Sequence, residues 1–269
     1  MRPLAAALAW CAVIGAGAQV PGAVRVTTVP EHTSVVPGHS FRVAVRLVIP
    51  DGWHISWVNP GQSGLPTTIA WRTPSGLSAA ETEWPYPERD ETAGFVSHVY
   101  RGSAVIVTRF LVDSALRAGT AELRADLSWG VCGATCIPQR QTVTFTLPVR
   151  SGPPEVSTAW RALAPSLEAL PDAGTDLVLR ATARGDHVRL TIAGSRLDAR
   201  RNGTVTFFPR SSGLAVVVAV RHAGRGVTVT LPARGLGARP SRVAGVLVAE
   251  RPWLVGSRRR ALAVEAPVE

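Results

Sequence analysis

The chain has 269 residues and a formal net charge of +10, carried wholly by arginine because no lysine occurs. That length exceeds one small sandwich and fits two domains of ordinary size. A basic balance raises nucleic acid or an anionic membrane as partners. The arginines, however, are scattered singly apart from Arg200-Arg201 and Arg258-Arg259-Arg260, with no aromatic-interleaved basic motif, so no nucleic-acid partner is expected.

From the N-terminus, Met1-Arg2-Pro3 leads into the apolar run Leu4 to Ile14 and then Gly15-Ala16-Gly17-Ala18. A short basic start, an apolar stretch and a small-x-small ending describe a secretory signal peptide. Residues 1–18 are therefore expected to be removed after Ala18, and Cys11 with them. The run is shorter than the roughly 20 residues that span a bilayer, and no second stretch approaches that length, so no transmembrane segment is expected. All-arginine basic charge fits a G+C-rich bacterial genome, and the expected location is the periplasm. Export to an oxidising compartment favours a disulfide between the remaining cysteines.

Residues 19–150 are dense in strand signals. Phe41-Arg42-Val43-Ala44-Val45-Arg46-Leu47 alternates apolar with other residues, as a half-buried strand requires, within a run from Thr33 to Ile49. Similar runs are Ala104 to Val112, Ala121 to Leu127 and Thr142 to Val149. Pro50-Asp51-Gly52, Asn59-Pro60-Gly61 and Thr73-Pro74-Ser75-Gly76 read as the breaks between strands. Short strands at this spacing predict an antiparallel sandwich.

Ser151-Gly152-Pro153-Pro154 reads as a linker. Ser157 to Leu170 predicts a single helix, with Ser157 as N-cap and Trp160, Leu163, Leu167 and Leu170 on one face. Strand-like runs return at Leu177–Thr182, His187–Ile192, Thr204–Phe208, Leu214–Val220, Gly226–Leu231 and Ala244–Val248. The expected architecture is all-β: two immunoglobulin-like β-sandwiches, 19–150 and 151–269, joined by a short helical linker. The charge is uneven, at +2 over residues 1–150 and +8 over 151–269.

Chemistry concentrates at one place. There is no Gly-x-Ser-x-Gly elbow, no His-Glu-x-x-His helix and no phosphate-binding glycine loop, so neither a cofactor nor a catalytic metal is expected. Asn202-Gly203-Thr204 matches a glycosylation sequon of the kind frequent by chance. What remains is Cys132-Gly133-Ala134-Thr135-Cys136, in a segment that reads as strand, tight turn, strand. Across a three-residue hairpin loop, residues i and i+4 face each other at about 4.5–5.5 Å between Cα atoms, inside the usual disulfide range. Gly133 is expected to take a positive φ in that turn. So small a loop removes little entropy from the unfolded chain, which makes the bond a poor staple. Three readings stay open: a redox-exchanging pair, a structural clip, and soft-metal binding by two thiolates helped by His54 or His98.

Trp53-His54-Ile55-Ser56-Trp57-Val58-Asn59-Pro60-Gly61-Gln62-Ser63-Gly64-Leu65-Pro66-Thr67-Thr68-Ile69-Ala70-Trp71 resembles the opening signature of the periplasmic N-terminal domain of DsbD-type protein-disulfide reductases, and most closely the branch with the copper-tolerance protein ScsB. Trp84-Pro85-Tyr86-Pro87-Glu88-Arg89, Gly94-Phe95 to Tyr100, and Trp129-Gly130-Val131-Cys132 to Cys136-Ile137-Pro138 follow in the family's order. The resemblance covers about residues 24–150. It is weaker beyond, carried mainly by Phe207-Phe208-Pro209.

The resemblance implies an immunoglobulin-like sandwich whose Cys132 and Cys136 take electrons from a membrane-embedded domain and pass them to periplasmic partners. In the family an aromatic loop shields the pair until a partner docks, which makes Glu91 to Arg101, with Phe95 and Tyr100, the candidate cap; core packing is the alternative for these rings. His54 and Trp129 join them as candidate partner-facing residues. The Trp53–Trp71 region reads either as a partner groove or as core. Two departures stand out: the Cys132–Cys136 spacing is shorter than in the best-known DsbD domain, and no thioredoxin-type Cys-x-x-Cys occurs. The expected function is a thiol–disulfide oxidoreductase component that relays electrons from a separate membrane donor to periplasmic clients in disulfide reduction, cytochrome c maturation or copper stress. The alternatives are a non-enzymatic partner- or Cu(I)-binding module and a structural, adhesin-like protein.

Overall fold

A computed structural model describes residues 22–92, 94–198, 203–210, 219–223, 226–232 and 240–269. The expected signal peptide (residues 1–18), Cys11, Arg200-Arg201, Asn202 and most of the expected strand at Leu214–Val220 lie outside them. Among the described residues, ten strands form the first half: β1 (Arg25–Pro30), β2 (Phe41–Val48), β3 (His54–Gly61), β4 (Thr68–Arg72), β5 (Leu77–Glu83), β6 (Glu88–Thr92), β7 (Phe95–Tyr100), β8 (Ser103–Val112), β9 (Gly119–Cys132) and β10 (Cys136–Val149). They make two antiparallel sheets, β1-β2-β8-β5 and β10-β9-β3-β7-β6, with β4 pairing with β9 beside the path. Two short helices follow, α1 (Thr158–Ala162) and α2 (Ala164–Leu167). The second half contains β11 (Val178–Arg184), β12 (His187–Ala193), β13 (Val205–Pro209), β14 (Ala219–Ala223), β15 (Gly226–Pro232), β16 (Arg242–Ala249) and β17 (Ala261–Pro267). These form the sheets β11-β12-β15-β14 and β13-β16-β17. The fold is all-β sandwich.

Alternation sets which faces meet. Phe41, Val43, Val45 and Leu47 of β2 point inward and are buried. Opposite them, β9 contributes Ala121, Leu123, Ala125, Leu127, Trp129 and Val131 at every second position. Aromatic rings fill one end of this core: Phe41 stacks on Phe110 at 5.3 Å, and Trp71 meets Phe110 edge-on at 4.9 Å. The second half has its own core, with Trp253, Phe207, Leu190 and Leu231 among its buried members.

The predicted single helix is two. Ser157 caps α1 as expected, its Oγ accepting from the Trp160 N–H at 3.1 Å. Pro165 lacks an N–H for a continuing helix and its ring would crowd the preceding turn, so the chain restarts at Ala164 with Pro165 in the first turn of α2. Nor is this segment merely a bridge. Trp160, Leu163 and Leu170 cover Ala44, Val105 and Val107 on the outer face of β2 and β8, and the Arg42 guanidinium lies 5.0 Å over the Trp160 ring.

Asn59-Pro60-Gly61 differs more from expectation. It does not break the chain between strands but ends β3, where the pairing with β7 shifts register between Ser56 and Gly61. There it joins the two halves: Asn59 Nδ2 donates to the Pro209 carbonyl at 2.7 Å, and Phe208 packs edge-on against Trp57 and His98. Trp57, Tyr100, Phe208, Val246 and Ala261 share one buried cluster, so apolar packing runs unbroken from one sandwich into the other.

Candidate functional site

Strands β9 and β10 are the longest among the described residues, paired without interruption over 14 positions from Gly119↔Val149 to Cys132↔Cys136. The hairpin loop is Gly133-Ala134-Thr135, closed by the Gly133 N–H donating to the Thr135 carbonyl at 3.0 Å. Cys132 and Cys136 are disulfide-bonded, with Cα atoms 4.0 Å apart. The two cysteines differ in exposure, because Cys132 is 3% exposed while Cys136 is exposed with the loop around it.

Gly133 does not adopt the expected positive φ. Its missing side chain serves close approach instead: a Cβ there would lie 3.2 Å from the Trp53 ring, against which the loop rests. Gly130 repeats the device three residues earlier on the outer face of β9, where a Cβ would lie 3.0 Å from the Leu65 Cβ. Leu65, 46% exposed, therefore sits over the face that carries Cys132. Its loop is tied down on both sides. The Thr67 N–H donates to the Trp57 carbonyl at 3.3 Å, and the Gln62 N–H donates to the Val96 carbonyl at 2.8 Å. The Val96 N–H returns a bond to Gln62 Oε1 at 2.7 Å.

The predicted site residues separate into three groups. His54 begins β3 in register with Cys132, so His54, Cys132 and Cys136 occupy neighbouring positions across three strands. Ile55 and Val131, the next pair, are fully buried, which places the His54–Cys132–Cys136 row on the opposite, outer face. Burial, reinforced by the nearby Arg101 cation and opposed by Asp90, holds the His54 imidazole below its ordinary pKa. Spacing alone gave no reason to expect this neighbour, since 78 residues separate His54 from Cys132 in sequence.

Tyr100 and Trp129 point the other way. Tyr100 is buried, donates to the Pro85 carbonyl at 2.6 Å, and is raised well above the usual phenol pKa by that burial. Trp129 is also buried, its indole N–H donating to Gln139 Oε1 at 3.1 Å. Both belong to the core beneath the site. Phe95 stands apart, 53% exposed at the tip of the β6–β7 hairpin. Tyr100 pairs with Ile55 near the disulfide end of β3, and Phe95 lies five residues up the strand, about 17 Å away. Its neighbour Val96 braces the Leu65 loop, so the hairpin touches the cover over β9 rather than the sulfurs.

Nor can His98 assist the pair. It is buried at the junction of the sandwiches, with Nδ1–H donating to the Asn59 carbonyl at 3.0 Å. Among the described residues no group of three or more His, Cys, Asp or Glu side chains is arranged to hold a metal, and no helix is long and apolar enough to cross a membrane.

Residues 24–148 match the family described as "Thiol:disulfide interchange protein DsbD, N-terminal". No curated protein matches the chain in sequence. Among solved structures, the N-terminal periplasmic domain of ScsB from Proteus mirabilis superposes with a TM-score of 0.59 at 15% identity, over 94% of this chain and 95% of that one. The fold likeness thus extends through both sandwiches. The N-terminal domain of Neisseria meningitidis DsbD in its reduced form aligns with 46% of this chain and 90% of its own, at 20% identity and a TM-score of 0.29. Residues 24–148 are a DsbD-alpha-like domain of the DsbD N-terminal family, and through it the chain carries a thiol–disulfide interchange module.

Proposed function

We propose that this protein is exported to the periplasm and relays electrons from a separate membrane reductase to periplasmic disulfide-bonded clients, with Cys132 and Cys136 as the exchanging pair. The observation that carries this reading is the unequal exposure of the two cysteines. Exchange needs one sulfur that a partner can reach and a second, held beside it, to resolve the mixed disulfide. The exposed Cys136 meets the first requirement, and Cys132, 3% exposed and directly across the ladder, meets the second.

In the reduced protein the Cys136 thiolate attacks a client disulfide, and one client sulfur leaves as a thiolate. The Cys132 sulfur then attacks Cys136, the client's second sulfur leaves, and the Cys132–Cys136 disulfide forms. Two electrons pass to the client, and a membrane dithiol restores the pair by the reverse steps. The Trp53 ring and the Leu65 loop hold the hairpin in place and limit access to Cys132.

The test is a trap. Reduced Cys132→Ser protein, keeping only Cys136, is expected to accumulate a disulfide-linked adduct with a periplasmic protein that a reductant releases. The relay reading fails if neither Cys132→Ser nor Cys136→Ser captures a partner and the pair's potential lies below about −300 mV, where structural disulfides fall.

A further inference from the structure

We infer that His54 is the proton acceptor for Cys132, taking the thiol proton as Cys132 closes on the mixed disulfide at Cys136. This deepens the exchange reading above and rests on it. The argument begins with register. His54, Cys132 and Cys136 are consecutive partners across β3, β9 and β10, and side chains directly opposite on one face have Cβ atoms about 4.5–5.5 Å apart. An imidazole on a two-bond stem reaches a neighbouring thiol from that distance.

A base is needed here. Cys132 is buried, and burial in apolar surroundings keeps a thiol protonated and unreactive. The surroundings of Cys132 offer few alternatives. Gly130 and Leu65 cover the outer face on one side, Gly133 and Trp53 close the hairpin end, and Val131 and Ile55 fill the core below. None of these carries a proton-accepting side chain.

The charged groups around His54 keep it in the accepting form. Arg101 follows β7 and Asp90 lies on β6. Arg101 binds Asp90 at 2.6 Å and Glu88 at 3.3 Å, which spends most of the carboxylate charge on the guanidinium rather than on the imidazole. Burial first, then Arg101, favours the neutral ring, so its lone pair is free at neutral pH.

The step balances. Cys132–SH, His54 and the Cys136–S–S–client disulfide give the Cys132–Cys136 disulfide, protonated His54 and the client thiolate. That thiolate then recovers the proton from the imidazolium and leaves as a thiol.

The experiment uses the reduced protein and a symmetrical aromatic disulfide whose thiolate is coloured. One equivalent of colour appears on attack by Cys136, and a second when Cys132 resolves. In the wild-type protein the second phase is expected to follow the neutral fraction of an imidazole titrating below its ordinary 6.5. In His54→Gln the second phase is expected to slow at least tenfold at neutral pH, the low end for general-base catalysis being roughly a hundredfold. It should then rise with pH as thiol ionisation does. The first phase should stay within twofold, and free imidazole should partly rescue His54→Ala. A second phase within twofold of wild type with an unchanged pH profile overturns the role of His54. So does a wild-type profile without an inflection below 6.5, a readout that needs no variant. Failure of the first phase in the wild-type protein would instead overturn the exchange reading itself.

Discussion

Reducing the Cys132–Cys136 bond should leave the protein folded, and the size of the loop says by how much stability falls. The bond closes a loop of only five residues, since its cysteines are four apart in sequence. In the chain-entropy account that loop is worth about 2 kcal/mol, against about 4.7 kcal/mol for a loop of 100 residues. The native state holds the two strands together by other means. The β9–β10 ladder continues for 13 further pairs below the cysteines, and the inward face beside them is packed with Val131, Trp129 and Leu127. Urea unfolding of oxidised and reduced protein, with a Cys132→Ala/Cys136→Ala form as a control against reoxidation, measures the difference directly. The expected outcome is a midpoint shift corresponding to about 2 kcal/mol with an unchanged slope. By linkage, the folded disulfide should have a potential about 40 mV below that of the same pair in the denatured chain, since 30 mV corresponds to about 1.4 kcal/mol. A loss of 4 kcal/mol or more, or unfolding on reduction, would mean that the bond is a staple after all.

Two further outcomes follow from the junction between the sandwiches. Phe208→Ala removes a ring that is 3% exposed and packs against both Trp57 and His98; a cost of about 3–5 kcal/mol is expected, with unfolding still a single transition because the apolar cluster crosses both halves. Separate transitions for the two halves in the wild-type protein would contradict that coupling. His98 supplies a pH dependence: burial first, then the Arg89 cation, lowers its pKa below 6.5, partly offset by its hydrogen bond to Asn59. The unfolded chain therefore binds the proton more readily, so the stability due to neutral His98 is complete above about 6.5 and declines as pH falls below it. Urea midpoints between pH 7.5 and 5.5 should fall less for His98→Gln than for wild type, and equal slopes would remove His98 as the cause.

Much of the fold was legible because alternation is a local property. Phe41 to Leu47 and Ala121 to Leu127 declare which residues face a core, whatever the core contains. Periodicity predicts one helix over 157–170 because it registers the leucines and not Pro165, whose missing N–H divides the segment. Asn59-Pro60-Gly61 departs from its predicted break for a related reason. Its composition suits a turn, but the Asn59 side chain is satisfied by the Pro209 carbonyl, 150 residues away, and no local pattern contains that partner.

The cysteine pair itself was sequence-determined. Two thiols four residues apart in a strand–turn–strand segment meet wherever the hairpin forms, because the register of a three-residue loop leaves them opposite each other. Everything that gives the pair its chemistry was decided by tertiary structure. Which sulfur is reachable depends on the Leu65 loop and the Trp53 ring, and which base stands beside Cys132 depends on β3 lying along β9. Those contacts join segments 65 to 80 residues apart in sequence, and only the pairing of the strands sets their order.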